Sequence, residues 1–145
     1  MELLATAYVS QARPGLELRE LKQLLRRARE YNFRHEVTGL LLHDGPHFAQ
    51  WLEGPPEIVD VLLARIDGDA RHEGLRVVLR EETDERRFPD WAMGCARLAG
   101  AEAGRLRAVT ARFVGEAEPD RETVVAYFAA MRRCALPAEA PALAL

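Results

Sequence analysis

Apolar and polar side chains alternate over residues 3–10, which predicts a first strand with Leu4, Thr6, Tyr8 and Ser10 on one face and Leu3, Ala5, Ala7 and Val9 on the other. Pro14-Gly15 is turn chemistry. The period then lengthens: Leu18, Leu21, Leu24, Leu25 and Ala28 recur at helical spacing, with Arg26, Arg27, Arg29 and Glu30 expected to face water. Residues 37–43 return to strand around Leu40-Leu41-Leu42, and Asp44-Gly45 is a hairpin signal. The returning strand, residues 47–53, puts Phe48, Gln50 and Leu52 on one face and Ala49, Trp51 and Glu53 on the other. Gly54-Pro55-Pro56 ends it. Val59, Leu62, Leu63 and Ile66 give a second helix its stripe over about residues 57–67. Residues 75–79 and 91–96 are expected as fourth and fifth strands, the fifth with Trp91, Met93 and Cys95 on one face.

Strand, helix, strand, strand, helix, strand is the ferredoxin-like βαββαβ plan, here with a fifth strand. The predicted fold is α/β of the α+β kind: a mixed five-stranded sheet with two helices on one face. The other face needs a cover. Leu106, Val109 and Phe113 mark a third helix, and Val124, Val125, Phe128 and Met131 a fourth that starts at Asp120. The division expected is a sheet-and-helix core over 1–97, a helical cap over 98–134 and a Pro/Ala-rich, frayed tail over 135–145.

A chain of 145 residues is enough for one domain, and a fused output domain is not expected. The formal net charge of −3 carries no basic excess, so nucleic acid is not an expected partner. No apolar run approaches the ~20 residues of a membrane span, and Met1–Val9 has no basic n-region, which predicts a cytoplasmic protein. Cys95 and Cys134 are too far apart in sequence for a metal or redox motif and read as reduced thiols. His43 and His47 flank the hairpin turn without a third ligand nearby, so no metal is expected. There is no serine elbow, phosphate-binding glycine loop or HExxH.

Two polar residues sit where the pattern demands core. Gln50 lies between Phe48 and Leu52, and Tyr8 lies on an inward face of the first strand. An unsatisfied buried amide costs about 1–3 kcal/mol, so the two are expected to bond each other if their strands are neighbours. That pair either fixes register alone or performs chemistry. Asn32 closes the first helix, either as a left-handed C-cap or as a ligand contact. Thr38-Gly39 opens the second strand, where the glycine permits a close approach. Asp67-Gly68-Asp69-Ala70-Arg71-His72 follows the second helix as a charged turn that, with Arg65, has the groups to meet a polar ligand.

Taken in order, Tyr8-Val9-Ser10, Asn32, Thr38-Gly39-Leu40-Leu41, Phe48-Ala49-Gln50-Trp51-Leu52-Glu53-Gly54, Ile66 to His72 and Arg87-Phe88-Pro89-Asp90-Trp91-Ala92-Met93-Gly94 resemble the BLUF domain, a blue-light sensor using FAD. The resemblance covers residues 2–97, and the last two helices resemble the C-terminal cap of short members. It implies a flavin between the two helices, FAD first and FMN or riboflavin as alternatives. By resemblance Tyr8 donates an electron and a proton to the photoexcited flavin, and the amide of Gln50 rearranges. Asn32 and Asp69 meet the polar edge of the ring, Arg65, Arg71 and His72 the flavin edge or phosphates, and Leu24, Leu25 and Ile66 its faces. Trp91 and Met93 make up the photoactive set, one of them changing its proximity to Gln50 and Trp91 competing as an electron donor. Many members carry a second Asn just before Asn32; Tyr31 stands there in this chain.

The resemblance further implies a signal passed to a downstream protein partner or through a homo-oligomer. The apolar residues Leu106, Phe113, Phe128 and Met131 are expected to exceed what a sheet cover needs and to support self-assembly. Two rival readings stand beside the photosensor. One is a light-inert flavin-binding or interaction domain, and the other a small flavin-dependent enzyme.

Overall fold

The first strand is the hub of the sheet because both of its edges find partners. In the computed structural model, which describes residues 2–96, 100–115 and 118–134, β1 (Leu3–Ala12) pairs antiparallel with both β3 (His47–Gly54) and β4 (His72–Thr83). β2 (Thr38–His43) is antiparallel to β3 and parallel to the short β5 (Gly94–Ala96), giving the order β4-β1-β3-β2-β5. This is the mixed, ferredoxin-like sheet with one added strand. β4 runs well beyond the expected 75–79. It is an edge strand paired only with β1, so its polar ends extend the ladder with Glu73, Arg80 and Glu82 exposed, while His72 turns in toward the cleft.

α1 (Leu18–His35) and α2 (Pro56–Asp67) lie over one face; α3 (Gly100–Gly115) and α4 (Arg121–Cys134) cover the other. The cap is tightly packed. Trp51 and Phe128 meet edge to face at 5.4 Å, and Leu106, Phe113, Val124 and Met131 are buried with Ala7, Val9 and Leu42. The apolar residues expected to support self-assembly are thus consumed inside the fold: Leu106, Phe113, Phe128 and Met131 are between 0% and 4% exposed. The expected tail over 135–145 lies outside the described residues.

The α1–α2 layer behaves differently. Among its eighteen residues α1 buries only Leu25 and Asn32, and α2 buries only Val59. Leu18, expected on the inward stripe, is 65% exposed. Helices with clear apolar stripes that stop short of the sheet leave a space between them and it. α1 also runs further than Asn32: the left-handed cap residue is Glu36 at φ 61°, and Asn32 stays helical with its side chain turned inward.

The link between β4 and β5 is fastened to the sheet by one buried carboxylate. Glu53, fully buried, accepts hydrogen bonds from Trp51 Nε1 at 2.9 Å, Thr38 Oγ1 at 3.2 Å, and the backbone N–H groups of Arg87 at 3.0 Å and Phe88 at 2.7 Å. Arg86 adds bonds to Thr38 Oγ1 and to the Glu53 and Glu36 carbonyls. The approach expected at Gly39 is real. A Cβ there would lie 1.8 Å from the Trp51 carbonyl oxygen, so only glycine lets β2 close on β3 at this point.

Candidate functional site

Between α1, α2 and the sheet lies a cleft of about 400 Å³, within the range of small-molecule sites. Its floor is a row of side chains fixed by strand register. Tyr8 sits directly opposite Gln50, Gln50 opposite Leu41, and Leu41 opposite Cys95. Tyr8 Oη donates to Gln50 Oε1 at 2.5 Å, the bond expected from the two buried polar positions. The amide's other end, Nε2, donates to Met93 Sδ at 3.3 Å. All three side chains are nearly or fully buried and line the cleft.

Burial is the main reason the Tyr8 phenol is held far above its ordinary range, and the nearby Asp69 carboxylate pushes the same way. Tyr127, buried under the cap and bonded to Thr110, is also raised by burial. In both, the folded chain favours the neutral phenol. Below the ordinary phenol value of about 10 this has no effect on stability; above it the unfolded chain ionises and folding weakens as pH rises. An ultraviolet titration should therefore show Tyr8 and Tyr127 forming tyrosinate only as the chain unfolds in alkali. Two early, reversible tyrosinate steps from these residues in the folded protein would contradict their burial.

The walls carry the other expected residues. Leu24, Leu25 and Asn32 come from α1, Arg65 and Ile66 from α2, and Asp69, Arg71 and His72 from the turn that follows and the start of β4. Asn32 is 1% exposed; its Nδ2 donates to the Ala92 carbonyl at 2.7 Å and its Oδ1 has no hydrogen-bond partner among the described residues. A buried acceptor in a cleft-lining side chain has the chemistry to take a ligand N–H. Asp69 is engaged by Arg71 through its backbone N–H at 2.9 Å and its guanidinium at 2.8 Å. His72 is held at both ring nitrogens, by Ser10 Oγ at 2.6 Å and by the Ile66 carbonyl. Nε2 must therefore carry its proton toward the carbonyl, leaving Nδ1 to accept from the Ser10 hydroxyl. Tyr31 stacks on His35 at 4.0 Å, and the Arg65 guanidinium lies over the Tyr31 ring at 5.3 Å.

Two expectations fail here. Trp91 and Met93 neither belong to a strand, since β5 begins at Gly94, nor share a face. The carbonyls of residues 91–93 are taken by donors outside any ladder, so the period-two rule lapses. Met93 enters the cleft floor, while Trp91 packs on the cap side against Phe88 at 6.1 Å and under the Arg132 guanidinium at 5.2 Å. Trp91 is not part of the cleft lining. Likewise Arg27 and Arg29 do not simply face water: Arg27 lines the cleft, and Arg29 Nε donates to the Met93 carbonyl at 3.0 Å. Their long stems reach sideways from helix positions that the stripe assigns to solvent.

The cleft, the Tyr8–Gln50 pair and the ordered motifs coincide with a known sequence family. Residues 3–94 match the family model described as "Sensors of blue-light using FAD". The chain belongs to the BLUF family. Among BLUF relatives, the photoactivated adenylate cyclase subunit beta of Euglena gracilis is 35% identical over 95 residues, 65% of this chain and 11% of that protein. The blue light- and temperature-regulated antirepressor BluF of Escherichia coli is 35% identical over 81 residues, 56% of this chain and 20% of that protein. The chain thus spans a fifth or less of the length of either. Among solved structures, the dark state of the BLUF protein BlrB aligns with a TM-score of 0.63 at 37% identity, over 65% of this chain and 71% of that one. Photo-activated BlsA shares the fold with a TM-score of 0.76 at 22% identity, over 89% and 94%. The BLUF match ends at Gly94, so it spans every residue that lines the cleft.

No helix among the described residues is long and apolar enough to cross a membrane. No group of His, Cys, Asp and Glu among them is arranged to hold a metal.

Proposed function

We propose that the chain is a cytoplasmic blue-light sensor that holds one flavin noncovalently in the α1–α2 cleft and reads its excitation through Tyr8 and Gln50. The observation that carries this reading is the continuous chain Tyr8–Gln50–Met93 on the cleft floor, in which one rotatable amide joins a phenol donor to a soft acceptor. A bound flavin supplies a blue-absorbing group that accepts one electron when excited.

Tyr8 is the electron donor, and its phenolic proton already points along the bond to Gln50. Because burial keeps that proton in place at rest, Tyr8 loses it only when it is oxidised. Gln50 presents an acceptor to Tyr8 and a donor to Met93. Turning or tautomerising its amide inverts both, and the reversed pattern is the signalling state. Asn32 Oδ1 would accept from the imide N–H of the ring, with Leu24, Leu25 and Ile66 against its faces and Asp69, Arg71 and His72 along its polar edge.

Arg27 and Arg65 favour a phosphorylated flavin, FAD or FMN, over riboflavin. They come from the two facing helices and, among the described residues, have no carboxylate partner, whereas Arg71 is neutralised by Asp69. Two unpaired cations at one cleft match the charge of a diphosphate. Trp91, on the far side of the sheet, is assigned to signal output and not to the primary electron transfer. The output is to a partner protein or through self-association, and the chain itself is not an enzyme.

A dark-minus-light absorption spectrum of the purified protein tests the whole reading. The expected result is a yellow protein with one flavin per chain and a reversible red shift of its absorption. A colourless protein that stays colourless with added FAD favours a light-inert interaction domain. Turnover of the flavin with a reductant and a second substrate favours an enzyme.

A further inference from the structure

Three successive carbonyls ahead of β5 are held by three donors from elsewhere in the chain. Trp91 O accepts from the Gly39 backbone N–H at 2.9 Å, Ala92 O from Asn32 Nδ2 at 2.7 Å, and Met93 O from Arg29 Nε at 3.0 Å. Asn32 and Arg29 lie one turn apart on α1 and face the same way. The 91–93 segment therefore hangs between β2 and α1, and it runs directly into the three-residue strand β5.

The Asn32 amide has two ends with different tasks. Only its nitrogen can donate to a carbonyl, so the bond to Ala92 fixes the amide's orientation and turns Oδ1 away. That oxygen is buried and has no hydrogen-bond partner among the described residues, in a side chain that lines the cleft. One planar group thus has its acceptor free at the cleft and its donor closed on the backbone before β5.

We infer that Asn32 couples the state of the cleft to the order of residues 91–96 along a route parallel to Gln50 and Met93, with Arg29 as the positioning residue that holds the Met93 end. The inference rests on the flavin reading of the cleft. An N–H donor on Oδ1 draws electron density through the amide, so Nδ2–H becomes a stronger donor to Ala92. It also removes the cost of an orphaned buried acceptor. With no donor there, other conformations of the side chain compete and the hold on Ala92 loosens. Arg29 touches Met93 O from outside the cleft lining, and so keeps the thioether within reach of Gln50 Nε2 without contacting the ligand.

Hydrogen exchange of the full chain in the dark, flavin-free and flavin-saturated, reads this coupling. Residues 93–96 should exchange about tenfold more slowly in the saturated protein. In Asn32→Ala, saturated with FAD and checked by absorbance, the flavin-dependent slowing should fall below about threefold, with β1 exchange as the control for global folding. Arg29→Gln should bind flavin with an unchanged dark spectrum yet exchange residues 93–96 about tenfold faster than the wild type. Full flavin-dependent slowing in Asn32→Ala, or wild-type exchange in Arg29→Gln, overturns the inference. A wild type that binds no flavin defeats the functional reading as well. A wild type that binds flavin and shows the red shift, but whose residues 93–96 ignore flavin, defeats this inference alone.

Discussion

Tyr8→Phe will keep its pigment and lose its light-induced red shift completely. The substitution removes one oxygen from the cleft floor and leaves the ring volume, so the walls that would grip a flavin are unchanged. The losses are the phenolic proton, the ease of one-electron oxidation and the bond to Gln50 Oε1. Gln50 then has an unpaired acceptor in a buried site, a cost of about 1–3 kcal/mol that should appear as a modest loss of stability. Gln50→Leu should behave alike in the spectrum, because it deletes the group that rearranges. Bound flavin content and the difference spectrum, measured on the same samples, separate the roles. A normal shift in either variant would remove both residues from the photochemistry.

The largest expected loss of stability lies on the opposite face of the sheet. Glu53→Ala strips the acceptor from an indole N–H, a hydroxyl and two backbone N–H groups at once. Each buried donor left without an acceptor costs about 1–3 kcal/mol, and four are released together, against a total of roughly 5–15 for a domain. Urea denaturation should show the midpoint falling steeply, and the segment carrying Arg87 and Phe88 should become the first site of proteolysis. Glu53→Gln keeps the shape but turns an amide N–H toward donors, so it should recover only part of the loss. A change under about 1 kcal/mol in the alanine variant would mean that water replaces the carboxylate without penalty.

What the sequence discloses about this molecule follows the reach of its interactions. The Tyr8–Gln50 pair was legible because strand periodicity and a hairpin turn fix which residues share a face, and both are local. The cleft-lining residues of α1 and α2 were legible for the same reason and from the family likeness. The opposite faces of Trp91 and Met93 were not, since the donors that bend that segment sit on α1 and β2, 52 to 64 positions earlier. Glu53 read as the ordinary end of a strand; two of its donors arrive more than thirty residues later. Arg27 and Arg29 were hidden by the length of their side chains, which uncouples where a helix position points from what its terminus touches. The full extent of β4 was hidden by charge, because an edge strand can be long without alternating.

The sheet divides the protein into two compartments, each with its own buried cluster of side chains. One is a cap packed on the sheet through Phe128 against Trp51; the other is a cleft roofed by helices that bury few side chains of their own. On the flavin reading, pigment is expected to enter and leave between α1 and α2 while the cap side of the core stays closed. Chromophore exchange is then expected to be a native-state process, with flavin analogues loading by dialysis without a cycle of unfolding.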